Sequence, residues 1–269
     1  MRGASRASYA ELRDQLDAAV PDASIAERVG DELFAVVRLL DSEHGLRRAL
    51  ADPTKVPQEK AAVARRLLDG KVSERTEDVV AEAAAARWAS PGDMADAVEQ
   101  LAIEALTLAA QFGDTLDDLE DDLFRFNRLI SAQPGLREAL IGPASVDGKS
   151  ALLVGLLTGK VSSPSLSLMT QVLTHPRGRS PQAALDLCAQ IAARRREQLI
   201  AVVRVAIDLT AAQRRRLTAS LAAAYDRGIH LNVVLDPAVI GGMSVQVGDE
   251  LIDGTAASRL AAVRRRLAG

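Results

Sequence analysis

Three stretches carry side chains at spacings that chemistry uses. Gly142-Pro-Ala-Ser-Val-Asp-Gly-Lys-Ser150 approaches a phosphate-binding loop, in which backbone amides wrap phosphate and a lysine reaches its outer oxygens. That loop needs four residues between its glycines, and this stretch has five. It also needs a strand before it, whereas Leu136 to Ile141 reads as helix. Asp114-Thr-Leu-Asp-Asp-Leu-Glu-Asp-Asp122 gathers carboxylates as a cation site would. Leu116, Leu119, Leu123 and Phe126 run through it at helical spacing, however, so the acids mark a helix start where the dipole favours negative charge. Ile240-Gly-Gly-Met-Ser-Val-Gln-Val-Gly-Asp-Glu-Leu-Ile-Asp-Gly254 holds four glycines. Its Met243, Val245 and Val247 alternate with Ser244, Gln246 and Gly248, the pattern of a half-buried strand. The glycines then belong at strand entry and turns, with Asp249, Glu250 and Asp253 in hairpin turns. His44, His175 and His230 lack ligand spacing, and Cys188 sits within a helical stretch as a core thiol. Trp88 reads as packing. No catalytic, cofactor-binding or metal-binding set is expected.

The elements that would position such side chains follow from composition. With 269 residues, 48% apolar and 26% charged, the chain is long enough for about two ordinary globular domains. Aromatics are only 3%, so Leu, Val and Ala must fill the core, which favours helical packing. One cysteine excludes an internal disulfide framework. No apolar run reaches membrane-spanning length, and Met1-Arg-Gly-Ala-Ser-Arg lacks the apolar core of a signal peptide. A cytosolic chain without direct membrane insertion is expected. From Ile191 onward there are twelve arginines against seven carboxylates, a net of +5 in a chain of −3. Arg194 to Arg196, Arg214 to Arg216 and Arg264 to Arg266 produce the excess. These triplets are solvated helix faces or a surface for an acidic partner. A helical nucleic-acid-binding protein using them is the alternative function, and the scarcity of stacking aromatics argues against nucleic acid.

A repeat organises the first two thirds. Asp31-Glu-Leu-Phe-Ala-Val-Val-Arg-Leu39 lies over Asp121-Asp-Leu-Phe-Arg-Phe-Asn-Arg-Leu129, and Gly45-Leu-Arg-Arg-Ala-Leu50 over Gly135-Leu-Arg-Glu-Ala-Leu140, both 90 residues apart. After a one-residue slip Leu67-Leu-Asp-Gly-Lys-Val-Ser73 meets Leu156-Leu-Thr-Gly-Lys-Val-Ser162, and Ser90-Pro91 meets Ser180-Pro181. A duplicated unit of about 90 residues is expected. Each copy reads as helices. Ser8-x-x-Glu11 and Ser24-x-x-Glu27 are capping-box signatures, ahead of the stripes Tyr9, Leu12, Leu16, Val20 and Val29, Leu33, Val36, Leu40. Further helices are predicted over Leu46 to Ala51, Pro57 to Leu68 (stopped by Gly70), Glu74 to Trp88, and from the Ser90 N-cap to Phe112. None reads as apolar all round.

The last third changes period. Leu199 to Ile207 and Leu231 to Leu235 read as strands, with a helix from the Thr210 N-cap to Tyr225 between them and a terminal helix over Ala256 to Leu267. The expected fold is mainly α: two tandem duplicated helical bundles, 1–105 and 106–195, then a small α+β domain, 196–269.

Leu231, Leu235-Asp236, Val239, Gly241-Gly242, Val245, Val247-Gly248 and Asp253-Gly254 together resemble the signature of the delta subunit of bacterial ATP synthase. That family includes the mitochondrial oligomycin-sensitivity-conferring protein. The resemblance covers essentially the whole chain and departs in the second bundle, as in the longer delta chains of actinobacteria. It implies a non-catalytic stator subunit at the cytoplasmic face of the cell membrane, bound peripherally. Its helical bundle would receive N-terminal helices of the alpha subunits, and its C-terminal domain would meet the C-terminal end of the b subunit. So placed, it would hold the catalytic hexamer against rotor torque during proton-driven ATP synthesis.

Overall fold

The stripes set at helical spacing become helices with those side chains inside. The computed structural model describes residues 3–254, apart from 197–198, 227, 238, 240 and 248–249. The chain divides into two units, Met1–Arg195 and Arg196–Gly269. The first holds α1 (Ala4–Ala19), α2 (Ala23–Ser42), α3 (His44–Leu50), α4 (Pro57–Leu68), α5 (Glu74–Ala85) and α6 (Pro91–Phe112). It continues with α7 (Leu116–Ala132), α8 (Pro134–Ile141), α9 (Val146–Leu157), α10 (Ser163–Thr174) and α11 (Pro181–Arg196). The ends of α9 lie 89 residues beyond those of α4, and the ends of α10 lie 89 beyond those of α5. Gly70 and Gly159, also 89 apart, both have positive φ, +68° and +73°, just past α4 and α9, where glycine avoids the Cβ clash.

Local chemistry explains the ends. Ser90 caps α6 by accepting from the Asp93 amide at 3.1 Å, with Pro91 in the first turn. Two predicted starts are corrected. Asp22, not Ser24, caps α2, accepting from the Ile25 amide at 2.9 Å. Ser8 lies inside α1 and donates to the Arg87 carbonyl at 2.9 Å instead. The capping-box pattern fits more than one register, and tertiary partners chose. Helix α5 ends at Ala85 rather than Trp88, whose buried indole donates to the Ala83 carbonyl at 2.7 Å.

Helix α6 is the axis of this unit. From Met94 to Ala110 almost every residue is buried, including Glu99 and Glu104, so a helix that is not apolar all round is nonetheless enclosed on nearly every side. It packs closely on α2 because Gly30 faces it: a Cβ there would stand 2.7 Å from Leu106 Cγ and 3.2 Å from the Ala102 carbonyl. Small residues let the backbones approach, which is how a core with few aromatics reaches high density. One continuous hydrophobic cluster runs from Tyr9 to Ala192.

The second unit is a small sheet with one described helix. Strands β1 (Leu199–Val205), β2 (Ile229–Leu235), β3 (Met243–Val247) and β4 (Glu250–Asp253) lie in the order β2-β1-β3-β4. The parallel β1–β2 pair is joined through α12 (Ala211–Tyr225), as a parallel connection requires, and the other pairs are antiparallel. Thr210 caps α12 in a full capping box with Gln213. Ala201, Val203, Val205, Leu231, Val245 and Val247 form a core separate from the helical unit's cluster. Strand β1 stops two residues short of Ile207, which is 82% exposed. Glu250 and Asp253 belong to β4 rather than to turns. Asp249, Gly248 and the predicted helix Ala256 to Leu267 fall outside the described residues.

Candidate functional site

The chemistry-like stretches resolve into helix and sheet architecture. Gly142 ends α8, and Ser145 caps α9 by accepting from the Gly148 amide at 3.1 Å. Lys149 and Ser150 then lie inside α9, so their backbone amides serve the helix and no loop is left to wrap a phosphate. The acidic run is the start of α7, with Asp117 and Asp118 in its first turn. Cys188 is fully buried in α11, and burial pushes its thiol up, away from a reactive thiolate. His44 begins α3, His175 follows α10 and His230 lies in β2. Among the described residues no three His, Cys, Asp or Glu side chains gather as a metal site requires.

The signature residues cluster around β2, β3 and β4. Leu231, Val245 and Val247 are buried on the face that α12 covers, with Val239 near them in burial, while Leu235 is exposed at the end of β2. The Asp236 amide donates to the Val205 carbonyl at 2.9 Å, continuing the β1–β2 ladder by one bond. The chain then turns through Gly241 and Gly242, whose φ values of +67° and +80° are costly for any residue with a Cβ. At the far end the Gly254 amide donates to the Met243 carbonyl at 3.0 Å, and a Cβ on Gly254 would lie 3.1 Å from that oxygen. Asp253 pairs with Ser244 across β3–β4. These residues shape a small sheet and present no reactive group.

Two ion networks centre on the buried Glu99 and Glu104 of α6, and the sequence pattern does not name their cations. Glu104 accepts from Tyr9 Oη at 2.9 Å, Arg194 at 2.9 Å and Arg195 at 2.8 Å, and Arg195 also reaches Asp17 at 2.8 Å. Burial opposes the charge on Arg195, and Asp17 and Glu104 more than offset it, holding the guanidinium above its usual range. Burial, then Glu104, push the Tyr9 hydroxyl up as well. Glu99 accepts from Arg177 at 2.6 Å and from Arg179, while Arg177 also reaches Asp41 at 2.6 Å and Asp96 at 2.9 Å. Within the triplet Arg194 to Arg196 the middle residue is corrected: Arg195 is 1% exposed and neutralised inside the unit, while Arg194 and Arg196 are exposed as a solvated face would be. Two lone glutamates in a long apolar helix were the available signal, since a buried carboxylate needs a cation. Arg214 pairs with Asp208 at 2.6 Å, and Arg264 to Arg266 fall outside the described residues.

A third polar set joins α2 to α10. Glu27 accepts from Ser163, Asp31 accepts from Ser167, and Arg38 donates to Gln171 at 2.8 Å. Below this ladder Phe34, Val37, Arg38, Asp41, Glu99, His175 and Arg177 line a cavity of about 180 Å³. Burial, then Arg38, hold His175 below its usual range, so it stays neutral beside the guanidinium.

No described helix is long and apolar enough to cross a membrane. Comparison with known proteins places this arrangement. Residues 102–267 match the family model "ATP synthase delta (OSCP) subunit". The ATP synthase subunit delta of Thermobifida fusca is 47% identical over 270 residues, covering 100% of each chain. Its counterparts in Streptomyces griseus and Acidothermus cellulolyticus are 45% and 42% identical, again over 100% of each chain. A chain of the Toxoplasma gondii mitochondrial ATP synthase hexamer aligns over 62% of this chain and 95% of its own, at 17% identity and a TM-score of 0.29, too slight a likeness to define the fold.

Proposed function

We propose that this chain, which belongs to the ATP synthase delta (OSCP) subunit family and is thus a non-catalytic component of the peripheral stalk, works as a two-ended tether. The helical unit takes N-terminal helices of the alpha subunits, and the sheet unit takes the C-terminal end of the b subunit. The complex then holds the chain at the cytoplasmic face of the membrane without any insertion of its own. The observation that carries this reading is the pair of separate hydrophobic cores, one helical and one built on the sheet. Two independently packed bodies on one chain can grip two partners and pass load between them, and grooves between amphipathic helices accept partner helices.

The reading includes a duplication, with bundles at 1–105 and 106–195 ahead of a domain at 196–269. Support comes from the helix ends 89 residues apart and from the family model, which begins at residue 102 inside α6. Helix α6 then closes the first bundle and opens the second. The signature residues from Leu231 to Gly254, among them Asp236, Gly241, Gly242 and Asp253, keep the sheet in shape for its contact.

Paired pull-downs of the full chain test the division of roles. One bait is an N-terminal peptide of alpha and the other a fragment from the C-terminal end of b. Both should retain the chain, and each should do so in the presence of saturating free competitor for the other. Mutual competition would show one shared surface and defeat the tether.

A further inference from the structure

Phe34 on α2 and Phe124 on α7 are counterparts in the 90-residue repeat, yet one is 4% exposed and the other 61%. Their neighbours correspond too. Asp31, Phe34 and Arg38 lie on one face of α2, three and seven residues on from the acid, and Asp121, Phe124 and Arg128 repeat those types and spacings on α7. In the first half this face is covered by α10, whose Ser167 donates to Asp31 and whose Gln171 accepts from Arg38. The matching face of α7 lines an open groove of about 420 Å³ with Phe124, Asn127, Arg128 and Ser131. There Arg128 rests over the exposed Phe124 ring, 5.9 Å from its centroid, and Asp121 pairs with Arg125 at 3.0 Å in solvent.

We infer that the Asp121–Phe124–Arg128 face of α7 docks a helix of another subunit of the complex, lying parallel to α7 and presenting hydroxyl and amide side chains four residues apart. The inference rests on the duplication proposed above. The complementarity is read from the occupied face: a carboxylate accepts a hydrogen bond from a hydroxyl, a guanidinium donates to an amide oxygen, and the phenyl ring is covered between them. Both contacts progress together along α2 and α10, which sets the direction. A second copy of this chain offers no equivalent helix, because its α10 already commits Ser167 and Gln171 to its own α2. Residues 255–269 carry no hydroxyl or amide pair at four-residue spacing. An isolated exposed phenylalanine needs no explanation, but one whose counterpart is buried by a defined helix does.

The test places a cysteine at Arg128→Cys in the full chain, where the buried Cys188 stays silent to maleimide. Labelling is compared between the isolated chain and the same chain in the purified ATP synthase. About a tenfold slower labelling in the complex is expected, as for a residue at the dry centre of an interface. A photo-cross-linker on the same cysteine should trap another subunit in a segment with Ser, Thr or Gln four residues apart. Equal labelling in both states, with the chain retained in the complex, overturns the docking and leaves the stalk assignment intact. So does cross-linking confined to residues 255–269 or to a second copy. Asp31 and Ser167 found solvent-labelled as cysteines would overturn the covered face of α2 from which the complementarity is read, and the docking with it.

Discussion

Arg195 donates to Glu104 at 2.8 Å with the guanidinium 1% and the carboxylate 2% exposed, so a full ion pair is sealed between α11 and α6. Taking two charges out of water is costly; Arg194 and Tyr9 add hydrogen bonds to Glu104 and Asp17 adds one to Arg195, which leaves only the Arg195 Nε of this pair without a partner. Its effect is to lock the last helix of the unit to its central one.

Removing one partner leaves the other charge buried. Arg195→Met is expected to destabilise the helical unit by about 3–5 kcal/mol. Glu104→Gln added to it should recover part of that loss, because the deeper of the two carboxylates Arg195 served is then neutral. Urea unfolding followed by helical circular dichroism measures both. Additive losses would mean the two residues do not act as a pair.

Glu32 and Asp122, 90 residues apart in the sequence, both lie at the N-terminus of a later helix. Glu32 accepts from the Ser73 amide at 3.0 Å, Ser73 Oγ at 2.6 Å and Thr76 Oγ1 at 2.6 Å. Asp122 is influenced by the Ser165 hydroxyl and the Ser162 amide at the start of α10. Burial pushes both carboxyls up; at Glu32 the hydrogen bonds outweigh it and hold the group below its ordinary 4.5, whereas at Asp122 burial prevails. Glu32 thus contributes stability above pH 4.5 that is lost as pH falls through its lowered value. Asp122, raised, favours its protonated form in the folded chain, so its contribution improves as pH falls. Glu32→Gln should destabilise at neutral pH by about 0.5–1.5 kcal/mol, and Asp122→Asn should be near neutral. Denaturation midpoints at pH 7 and pH 4 check the signs, and equal losses at pH 7 would contradict them.

Lys149 lies within α9 and has no phosphate cradle around it. Lys149→Ala should leave both nucleotide binding and ATP hydrolysis by the isolated chain at the background of the unchanged protein. Calorimetric titration with Mg-ATP would expose specific binding, and its disappearance in the variant would refute the helical reading of this stretch.

Gly242, at φ +80°, tolerates no side chain without strain. Gly242→Val is expected to destabilise the sheet unit by ~1–3 kcal/mol while leaving the helical unit folded, because the cores are separate. Binding to the fragment of b should fall while binding to the alpha peptide persists. Equal loss of both would show that the roles are divided between the wrong parts of the chain.

Where local pattern decides structure, the sequence was legible. Pro57–Leu68, the Ser90 cap, the Thr210 cap and the alternation from Met243 to Val247 all need only neighbours within a few residues. The cap at Asp22 was missed because more than one residue satisfied the same capping pattern, and β2 starts two residues earlier than expected, at Ile229, where it pairs with Leu199 of β1. The ion networks were out of reach for another reason. Arg195 meets Asp17 across 178 residues and Arg177 meets Asp41 across 136, and no periodicity links such partners. Glu99 and Glu104 hinted that cations would come, without saying which. The signature from Leu231 to Gly254 was legible as a family mark, while its physical meaning rests on two positive-φ glycines and a buried valine pair in β3.

The most direct measurement is retention of the catalytic sector on membranes that lack this chain. Membranes from a strain depleted of it should lose the catalytic hexamer on a low-salt wash, with proton-driven ATP synthesis abolished and ATP hydrolysis recovered in the wash. Adding back the purified chain should restore both retention and synthesis. Catalytic sectors that stay bound and keep synthesising ATP without the chain would contradict the tether.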